Sequence, residues 1–315
     1  YIELYRNVKN IQKLILDGAY TRKTLQDAII EVLENACTPV ENRYTSDLDI
    51  CVKNNYETLN LILENRCSIA RFGDGEFDII AGNSIPYQEY NETLATELKE
   101  IIARQSDTHF MTCLPDVFEN QSRYNEACQS FWKGHLQAYR QLYNDVCTAG
   151  WYGSTFVSRP YIDLADKSTV TGYFDRLKSL WDNKDVLIVE GKTTRSGVGN
   201  DLFNNVKSLV RIIGPSKNAY RAIDRIESKI EEYGKDKLIL LMLGPTAKVI
   251  SYHMYKKGYW LIDIGHIDSE YEWCKLGAVE KVKLPNKHTA EHNYDQDIVF
   301  DHDQVYESQI VATVE

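Results

Sequence analysis

The chain has 315 residues, and 36 Lys or Arg against 46 Asp or Glu give it a formal net charge of −10. A protein that binds nucleic acid is expected to carry a basic face, so this balance argues against nucleic acid as the main partner. The seven cysteines are odd in number and show no CxxC spacing, which predicts reduced thiols in a cytoplasmic protein rather than disulfides or a zinc site. The longest purely apolar run, 238–243, is too short to span a bilayer.

The N-terminal part of the chain predicts helices. Apolar residues recur at helical spacing over 4–15, and Gly18 is a good stop signal for the first helix. A second amphipathic pattern follows over 25–33. We therefore expect residues 1–55 to form a small helical extension and residues 56–315 to form the main domain.

From about residue 56, short apolar runs alternate with helical patterns. The runs predict strands at 67–72, 108–113, 185–189, 208–213, 237–243 and 259–264, with a weak strand at 309–314. The helical patterns lie at 90–105, 124–147, 172–182, 217–234 and 246–257. Continuously apolar strands joined by helices predict an α/β fold with a mostly parallel sheet flanked by helices.

The loop after the first strand of this domain carries two acids. Ligands of a parallel sheet bind outside the carboxyl ends of its strands, and here Gly73 and Gly75 flank Asp74 just before Glu76. Two carboxylates so close together suit Mg²⁺ or Mn²⁺, which keep open positions for substrate phosphates. The alternative is a simple turn, with Glu76 in the first turn of a helix whose dipole favours a carboxylate.

The loop after the strand at 185–189 combines glycines, hydroxyls and two cations. It resembles a phosphate-binding loop ahead of a helix that we predict to begin near Asn200, where backbone N–H groups would attract anions. The alternative is a long surface loop with glycines for flexibility. The candidate residues are Glu190, Gly191, Lys192, Arg195, Ser196, Gly197, Gly199, Asn200 and Asp201.

Two further loops follow the strands at 237–243 and 259–264. The first can place Thr246 and backbone N–H groups against a phosphate or ribose, or can simply initiate a helix. The second brings a histidine between acids, which is typical of a base, a ligand or a hydrogen-bond donor but is more often structural. The candidates are Gly244, Pro245, Thr246, Lys248, Asp263, Gly265, His266 and Asp268.

A third pattern, at 288–292, matches the HxxEH spacing of inverted zinc peptidases. That motif needs a helix with both histidines on one face. The flanking sequence has no helical periodicity, so we expect no zinc peptidase site.

Five motifs in order resemble the bacterial GT-D type glycosyltransferases, over roughly residues 56–315. They are RFGDGE at 71–76, FVSRPY at 156–161, EGKTTRSGVGNDLF at 190–203, LGPTAK at 243–248 and IDIGHIDSEYEW at 262–273. The resemblance implies a Rossmann-like fold, a UDP-linked sugar donor and a divalent metal, with Asp74 and Glu76 as the acidic DXE motif of the family. It also implies transfer of a hexose such as glucose to a bacterial glycan or glycoprotein.

The site residues suggest a mechanism. Negative charge grows on the leaving diphosphate, and a metal ion held by Asp74 and Glu76 can stabilise that charge. Further donors would be Arg71, Gly73, Arg159, Lys192, Arg195, Gly197 and Gly199, and the candidate bases for an inverting reaction are Glu190, Asp263, His266 and Asp268. The alternatives are a metal-dependent phosphohydrolase and a non-catalytic module that binds nucleotide or glycan. The sequence leaves open whether the protein is an oligomer.

Overall fold

The computed structural model describes residues 48–168, 170–292, 295, 298–299 and 302–315. Both predicted N-terminal helices fall within residues 1–47, outside the described residues, and the domain boundary at residue 56 stays a prediction. Near the start of the described chain, Val52 pairs with Tyr152 in an isolated parallel bridge. Residues just ahead of the predicted boundary therefore already contact the main domain.

The described residues build one sheet of eight strands, and every strand pair in it is parallel. The strands are β1 Ser68–Arg71, β2 Phe110–Leu114, β3 Gly153–Ser154, β4 Asp185–Gly191, β5 Ser208–Gly214, β6 Leu238–Met242, β7 Trp260–Asp263 and β8 Ile310–Thr313. All the predicted strands are confirmed. Only β3 is new, because two residues are too few to give a sequence pattern.

Helices cover both faces of the sheet. They are α1 Asn55–Asn65, α2 Asp74–Ile80, α3 Glu92–Ala103, α4 Glu126–Ala138, α5 Arg140–Val146, α6 Val170–Lys178, α7 Ile223–Tyr233, α8 Pro245–Lys256, α9 Ile267–Leu276 and α10 Gln304–Gln309, with short 3₁₀ turns at Thr155–Ser158 and Ala219–Ala222. One apolar cluster on each face, centred on residues such as Trp181 and Met254, excludes water from the strands. This two-sided burial explains why the strands read as continuous apolar runs.

Two helix predictions need correction. The predicted helix over 124–147 is interrupted at Tyr139, which separates α4 from α5. The helix predicted to begin near Asn200 does not form, and residues 192–204 are turns. Gly197 and Gly199 have φ values of +79° and +80°. This left-handed backbone excludes a right-handed helix at 197–199, and the chain stays in bends and turns through residue 205.

The order of the strands is β3-β2-β1-β7-β6-β4-β5-β8. The chain runs outward from β1 through β2 to β3 on one side, and the remaining strands lie on the other side. The order in which strands are added to the sheet therefore reverses between β1 and β7, so the connections that follow these two neighbouring strands lead to opposite sides of the sheet. Such a switch point leaves a crevice at the carboxyl edge of a parallel sheet, where ligands bind. No helix in the described ranges combines the length and the hydropathy that crossing a bilayer requires.

Candidate active site

A cavity of about 1260 Å³ opens at the carboxyl edge of the sheet. Its walls come from segments that follow strands β1 to β7, so stretches far apart in the sequence meet around one space. Of the predicted site residues, those that line the cavity are Arg71, Gly73, Asp74, Glu76, Arg159, Gly191, Gly244, Pro245, Lys248, Gly265 and His266. Those that do not line it are Glu190, Lys192, Arg195, Ser196, Gly197, Gly199, Asn200, Asp201, Thr246, Asp263 and Asp268.

A buried network of two cations and two acids lies at the switch point between β1 and β7. Asp263, at the end of β7, accepts a hydrogen bond from the backbone N–H of Arg71 at 3.1 Å. Lys248 Nζ lies 3.1 Å from Asp263 Oδ2 and 3.0 Å from Glu76 Oε1, and it donates to the carbonyl of Gly244 at 3.1 Å. The ammonium is thus hydrogen-bonded to one carbonyl and lies within ion-pair distance of two carboxylates. Lys248 therefore connects the loops after β1, β6 and β7 in the wall of the cavity.

The side chain of Arg71 passes directly beside Gly265, where only a glycine leaves enough space for it. Its Nη1 donates to the carbonyl of Thr155 at 2.9 Å. Gly265 has a φ of +46°, and a Cβ atom built there would lie 1.8 Å from Nη2 of Arg71. Any larger residue at 265 would displace the guanidinium from the cavity wall, so this glycine sets where Arg71 points.

The two acids of the predicted metal motif differ in their surroundings. Glu76 is buried, and its Oε2 accepts from the backbone N–H of Gly73 at 2.8 Å while Oε1 faces Lys248. Asp74 is open to the cavity and forms no ion pair within the described part of the chain. Desolvation inside the cleft and the negative charge of Glu291 raise the pKa of Asp74. Asp74 is therefore placed to act as a metal ligand. Glu76 is already hydrogen-bonded to the backbone at the start of α2 and paired with the ammonium of Lys248.

The described residues contain no group of three or more His, Cys, Asp or Glu side chains arranged around a common point. Mg²⁺ and Mn²⁺ do not require such a cage, because one or two carboxylates and the substrate phosphates are commonly enough. The donor set fits a cation that binds together with an anionic ligand.

The loop that follows β4 is fixed from behind by Glu190. This carboxylate is fully buried, and it accepts from Arg211 Nη1 at 2.5 Å and from the backbone N–H of Ser196 at 2.8 Å. Burial raises the pKa of Glu190, although Arg211 opposes that rise. Arg195 is also buried, with its guanidinium 4.9 Å from the ring centre of Tyr306. The predicted roles of Glu190 as a base and Arg195 as a phosphate ligand do not fit these positions.

Asp268 holds the same loop from the side of β7. Its Oδ1 accepts from the backbone N–H of Gly197 at 2.7 Å and from Asn200 Nδ2 at 2.9 Å, and its Oδ2 faces Lys287 Nζ at 2.9 Å. Lys287 also donates to the carbonyl of Val198 at 2.7 Å. The glycine N–H group that we expected to bind phosphate is therefore taken by a carboxylate of the protein.

Two histidines face the cavity with their rings 5.3 Å apart. Desolvation and the proximity of His288 lower the pKa of His266 well below its usual value, so His266 is neutral near pH 7. His288 Nδ1 lies 2.7 Å from Asp295 Oδ1. Residues 288–292 are irregular backbone followed by a turn, not the helix that the zinc peptidase motif would need.

Arg159 is surrounded by acids. Its Nε lies 2.7 Å from Asp163 Oδ2, and its Nη1 lies 2.6 Å from Glu291 Oε1. Glu291 also pairs with Lys281. The charge of Arg159 holds the pKa of Glu291 well below its usual range. A phosphate would have to compete with these carboxylates for the guanidinium.

Glu270 fixes the segment that carries Arg159. Its Oε2 accepts from the backbone N–H groups of Tyr161 and Ile162 at 2.8 and 3.1 Å, and its Oε1 lies 3.9 Å from Arg159 Nε. Burial raises the pKa of Glu270 to about 7, although Arg159 opposes that rise.

Replacing Glu270 with Gln is expected to remove part of the pH dependence of stability. The pKa rises from 4.5 to about 7 on folding, so the folded state binds more protons between these values and loses stability as the pH rises through them. From about pH 5.5 to about pH 8, this one group should lower the free energy of unfolding by roughly 2 kcal/mol. Urea unfolding of both proteins across this range measures it, and parallel curves would contradict the assignment.

The turn at residues 85–88 lines the cavity but was not among the predicted site residues. Residues 85–88 form a tight turn whose ends exchange two backbone hydrogen bonds, of 2.9 and 3.2 Å. The carbonyl of Tyr87 accepts from the backbone N–H of Asn218 at 2.8 Å, which fixes the turn against the loop after β5. Pro86 is a visible turn signal. Its place beside the cavity depends on contacts between residues more than 100 positions apart.

The first two turns of α4 form another wall that the sequence did not reveal. Phe131 and Trp132 lie in the cavity wall, and residues 279–281 line the same space. The apolar residues of α4 follow an ordinary amphipathic pattern, which does not distinguish a face packed in the core from one that faces a ligand.

Comparison with known proteins identifies the family. The family model for the GT-D glycosyltransferase fold matches residues 69–292. A solved structure described as a new glycosyltransferase from Streptococcus sanguinis is 53% identical and superposes with a TM-score of 0.84, covering 85% of this chain and 100% of that chain. A second structure, described as a conserved domain with a distinct glycosyltransferase fold, is 54% identical, with a TM-score of 0.83 over 84% of this chain and 96% of that chain.

Two curated relatives carry the same class of name. The probable glycosyl transferase Gly of Streptococcus gordonii is 55% identical over 258 residues, or 82% of this chain and 38% of its own length. The glycosyltransferase GlyD of Streptococcus pneumoniae serotype 4 is 53% identical over 268 residues, or 85% of this chain and 33% of its own length. This chain thus spans only about a third of the length of these relatives. It belongs to the GT-D glycosyltransferase family, as its motifs predicted.

Proposed function

We propose that this domain transfers a hexose, with glucose as the first candidate, from a UDP-sugar to a glycan or glycoprotein acceptor, and that it requires Mn²⁺ or Mg²⁺. Membership of the GT-D family supports sugar transfer. The six described cysteines are all free thiols, which is consistent with a reaction in the cytoplasm.

The charge of the cavity is the observation that carries the metal requirement. Among the described residues that line it, eight are carboxylates and four are Arg or Lys. Lys248 is already paired with Glu76 and Asp263, and Arg159 already faces several acids. A diphosphate in such a space would be repelled unless a cation entered with it.

Asp74 is the side chain that would hold the cation together with the donor phosphates. A bound divalent ion would supply Lewis-acid stabilisation of the leaving diphosphate. Arg71, held in place through Gly265, adds a guanidinium at the cavity wall. The backbone at Gly244 and Pro245 begins helix α8 in the same wall, where helix N–H groups favour an anion.

We assign the role of base to His266, with inversion at the anomeric carbon. Of the four candidates that the sequence offered, His266 lines the cavity, whereas Glu190, Asp263 and Asp268 are buried behind it. Its lowered pKa keeps the imidazole neutral near pH 7, which is the form that can accept a proton from an acceptor hydroxyl.

A donor screen tests the proposal. UDP-glucose, UDP-galactose and UDP-N-acetylglucosamine are incubated with Mn²⁺ and a set of methyl glycosides, and UDP release is measured. We expect release that rises with an acceptor and falls at least about 10-fold when EDTA removes the metal. UDP release that does not depend on any acceptor would indicate a phosphohydrolase. UDP binding without any turnover would indicate a binding module.

A further inference from the structure

The two ends of the cavity differ in chemistry. One end is formed by the turn at 85–88 and the loops after β4, β5 and β6, which present hydroxyls and backbone groups. The other end is formed by the start of α4 and residues 279–281. The whole cavity, at about 1260 Å³, exceeds the roughly 300–1,000 Å³ that suits one ligand. A transferase must hold a donor and an acceptor together, and this space has room for both.

A rigid aromatic corner marks the α4 end. The side chain of Phe131 is 49% exposed although it lines the cavity. Its ring meets Trp132 edge-on at 5.2 Å and stacks on His135 at 5.9 Å, with 14° between the planes. These contacts hold the ring of Phe131 in one orientation while leaving part of its surface uncovered.

Polar side chains line the same end of the cavity. Asn125 and Glu126 lie at the start of α4, and the backbone N–H of Asn125 donates to the carbonyl of Asp163 at 2.8 Å, which places Asp163 beside them. Lys281 also lines the cavity. A pyranose ring has an apolar face of C–H groups and an edge of hydroxyls. A cavity wall that presents an aromatic ring together with carboxylates, an amide and an ammonium matches both parts of that surface.

We propose that the α4 end of the cavity is the acceptor subsite, where a pyranose of the acceptor glycan packs on Phe131 and its hydroxyls meet Glu126 and Asp163. The inference rests on the proposed function. A protein partner is a poorer fit, because one half-exposed ring among charged residues is far smaller than the apolar patch that marks a protein interface. Asp74 and His266 line the same cavity, so donor and acceptor would share one reaction space.

Saturation-transfer NMR of the whole chain tests this assignment. The probes are the methyl β-glycosides of glucose, galactose and N-acetylglucosamine, with UDP and Mn²⁺ present to fill the donor end. We expect transfer to the ring protons of at least one glycoside, binding about 10-fold weaker in Phe131→Ala, and recovery in Phe131→Tyr, which restores the ring. The matched control is Tyr90→Ala, since Tyr90 is 43% exposed and does not line the cavity.

Three outcomes would overturn the inference: no transfer to any glycoside, equal transfer in Phe131→Ala and the unmodified protein, or displacement of the glycoside by UDP. Calorimetry of UDP with the unmodified protein distinguishes a failure of the acceptor subsite from a failure of the proposed function. If the protein binds UDP but glycoside binding is unchanged in Phe131→Ala, only the acceptor subsite is contradicted. A protein that binds no UDP contradicts the proposed function, and the inference falls with it.

Discussion

Replacing Lys248 with Met is expected to lower the free energy of unfolding by about 3–5 kcal/mol and to abolish activity. The ammonium lies within 3.1 Å of carboxylate oxygens from both Glu76 and Asp263, and all three side chains are buried. Methionine keeps most of the volume but removes the charge. After the change, Asp263 still accepts a hydrogen bond from the backbone N–H of Arg71. Glu76 still accepts one from the backbone N–H of Gly73 but has lost the positive charge that faced its other oxygen.

The cost arises because a buried carboxylate loses its counter-charge without regaining water. Adding Glu76→Gln to Lys248→Met should therefore recover part of the lost stability, as a double-mutant cycle would measure. The matched control is Lys257→Met at the end of the same helix, where Lys257 pairs with Glu231 at the surface. That change should cost less than about 1 kcal/mol. Equal costs at the two lysines in chemical denaturation would contradict the buried network.

The second large effect is expected from Asp74→Asn. It should reduce kcat/KM by about 100-fold or more, because Lewis-acid stabilisation is worth several kcal/mol and each 1.4 kcal/mol is a factor of ten. The fold should be unaffected, since Asp74 is open to the cavity and forms no ion pair within the described residues. Steady-state assays at several Mn²⁺ concentrations measure the loss.

Binding of Mn²⁺ gives a readout that does not depend on turnover. Electron paramagnetic resonance in the presence of UDP should show weaker Mn²⁺ binding in Asp74→Asn than in the unmodified protein. Asp145→Asn is the control, because Asp145 is an exposed carboxylate that does not line the cavity. Unchanged Mn²⁺ affinity together with full turnover in Asp74→Asn would remove Asp74 from the metal site.

The sheet could be predicted because its strands are buried on both faces. In Leu238–Met242 and its neighbour Asp185–Gly191, nearly every residue is covered by helices, so the hydrophobic run itself reveals the strand. Helices α1, α2, α9 and α10 were not among the predicted helices, although a helix beginning around Glu76 was the stated alternative for α2. Helices α2 and α9 begin in motifs that we interpreted first as loops, since Gly73 and Gly265 just ahead of each helix are also typical of turns.

The loop of 190–203 shows where prediction from composition fails. Its glycines, hydroxyls and cations are typical of a phosphate-binding loop, but in the structure Glu190 and the carbonyl of Ser196 bind Arg211, and the backbone N–H of Gly197 binds Asp268. Asp268 lies about 70 positions further along the chain and is already paired with the glycine N–H group. Nothing within the loop itself could indicate that its donors would be used inside the protein.

The sequence by itself determined the parallel α/β architecture, the family and several of the loops that border the cavity, because hydrophobic runs and short motifs are local properties of the chain. Only the tertiary structure decided that Lys248 neutralises Glu76, that Glu190 faces away from the cavity, and that Phe131 faces into it. These facts depend on which strands become neighbours and on how distant side chains share hydrogen bonds. Such pairings join residues that are remote in the chain, so no local pattern records them.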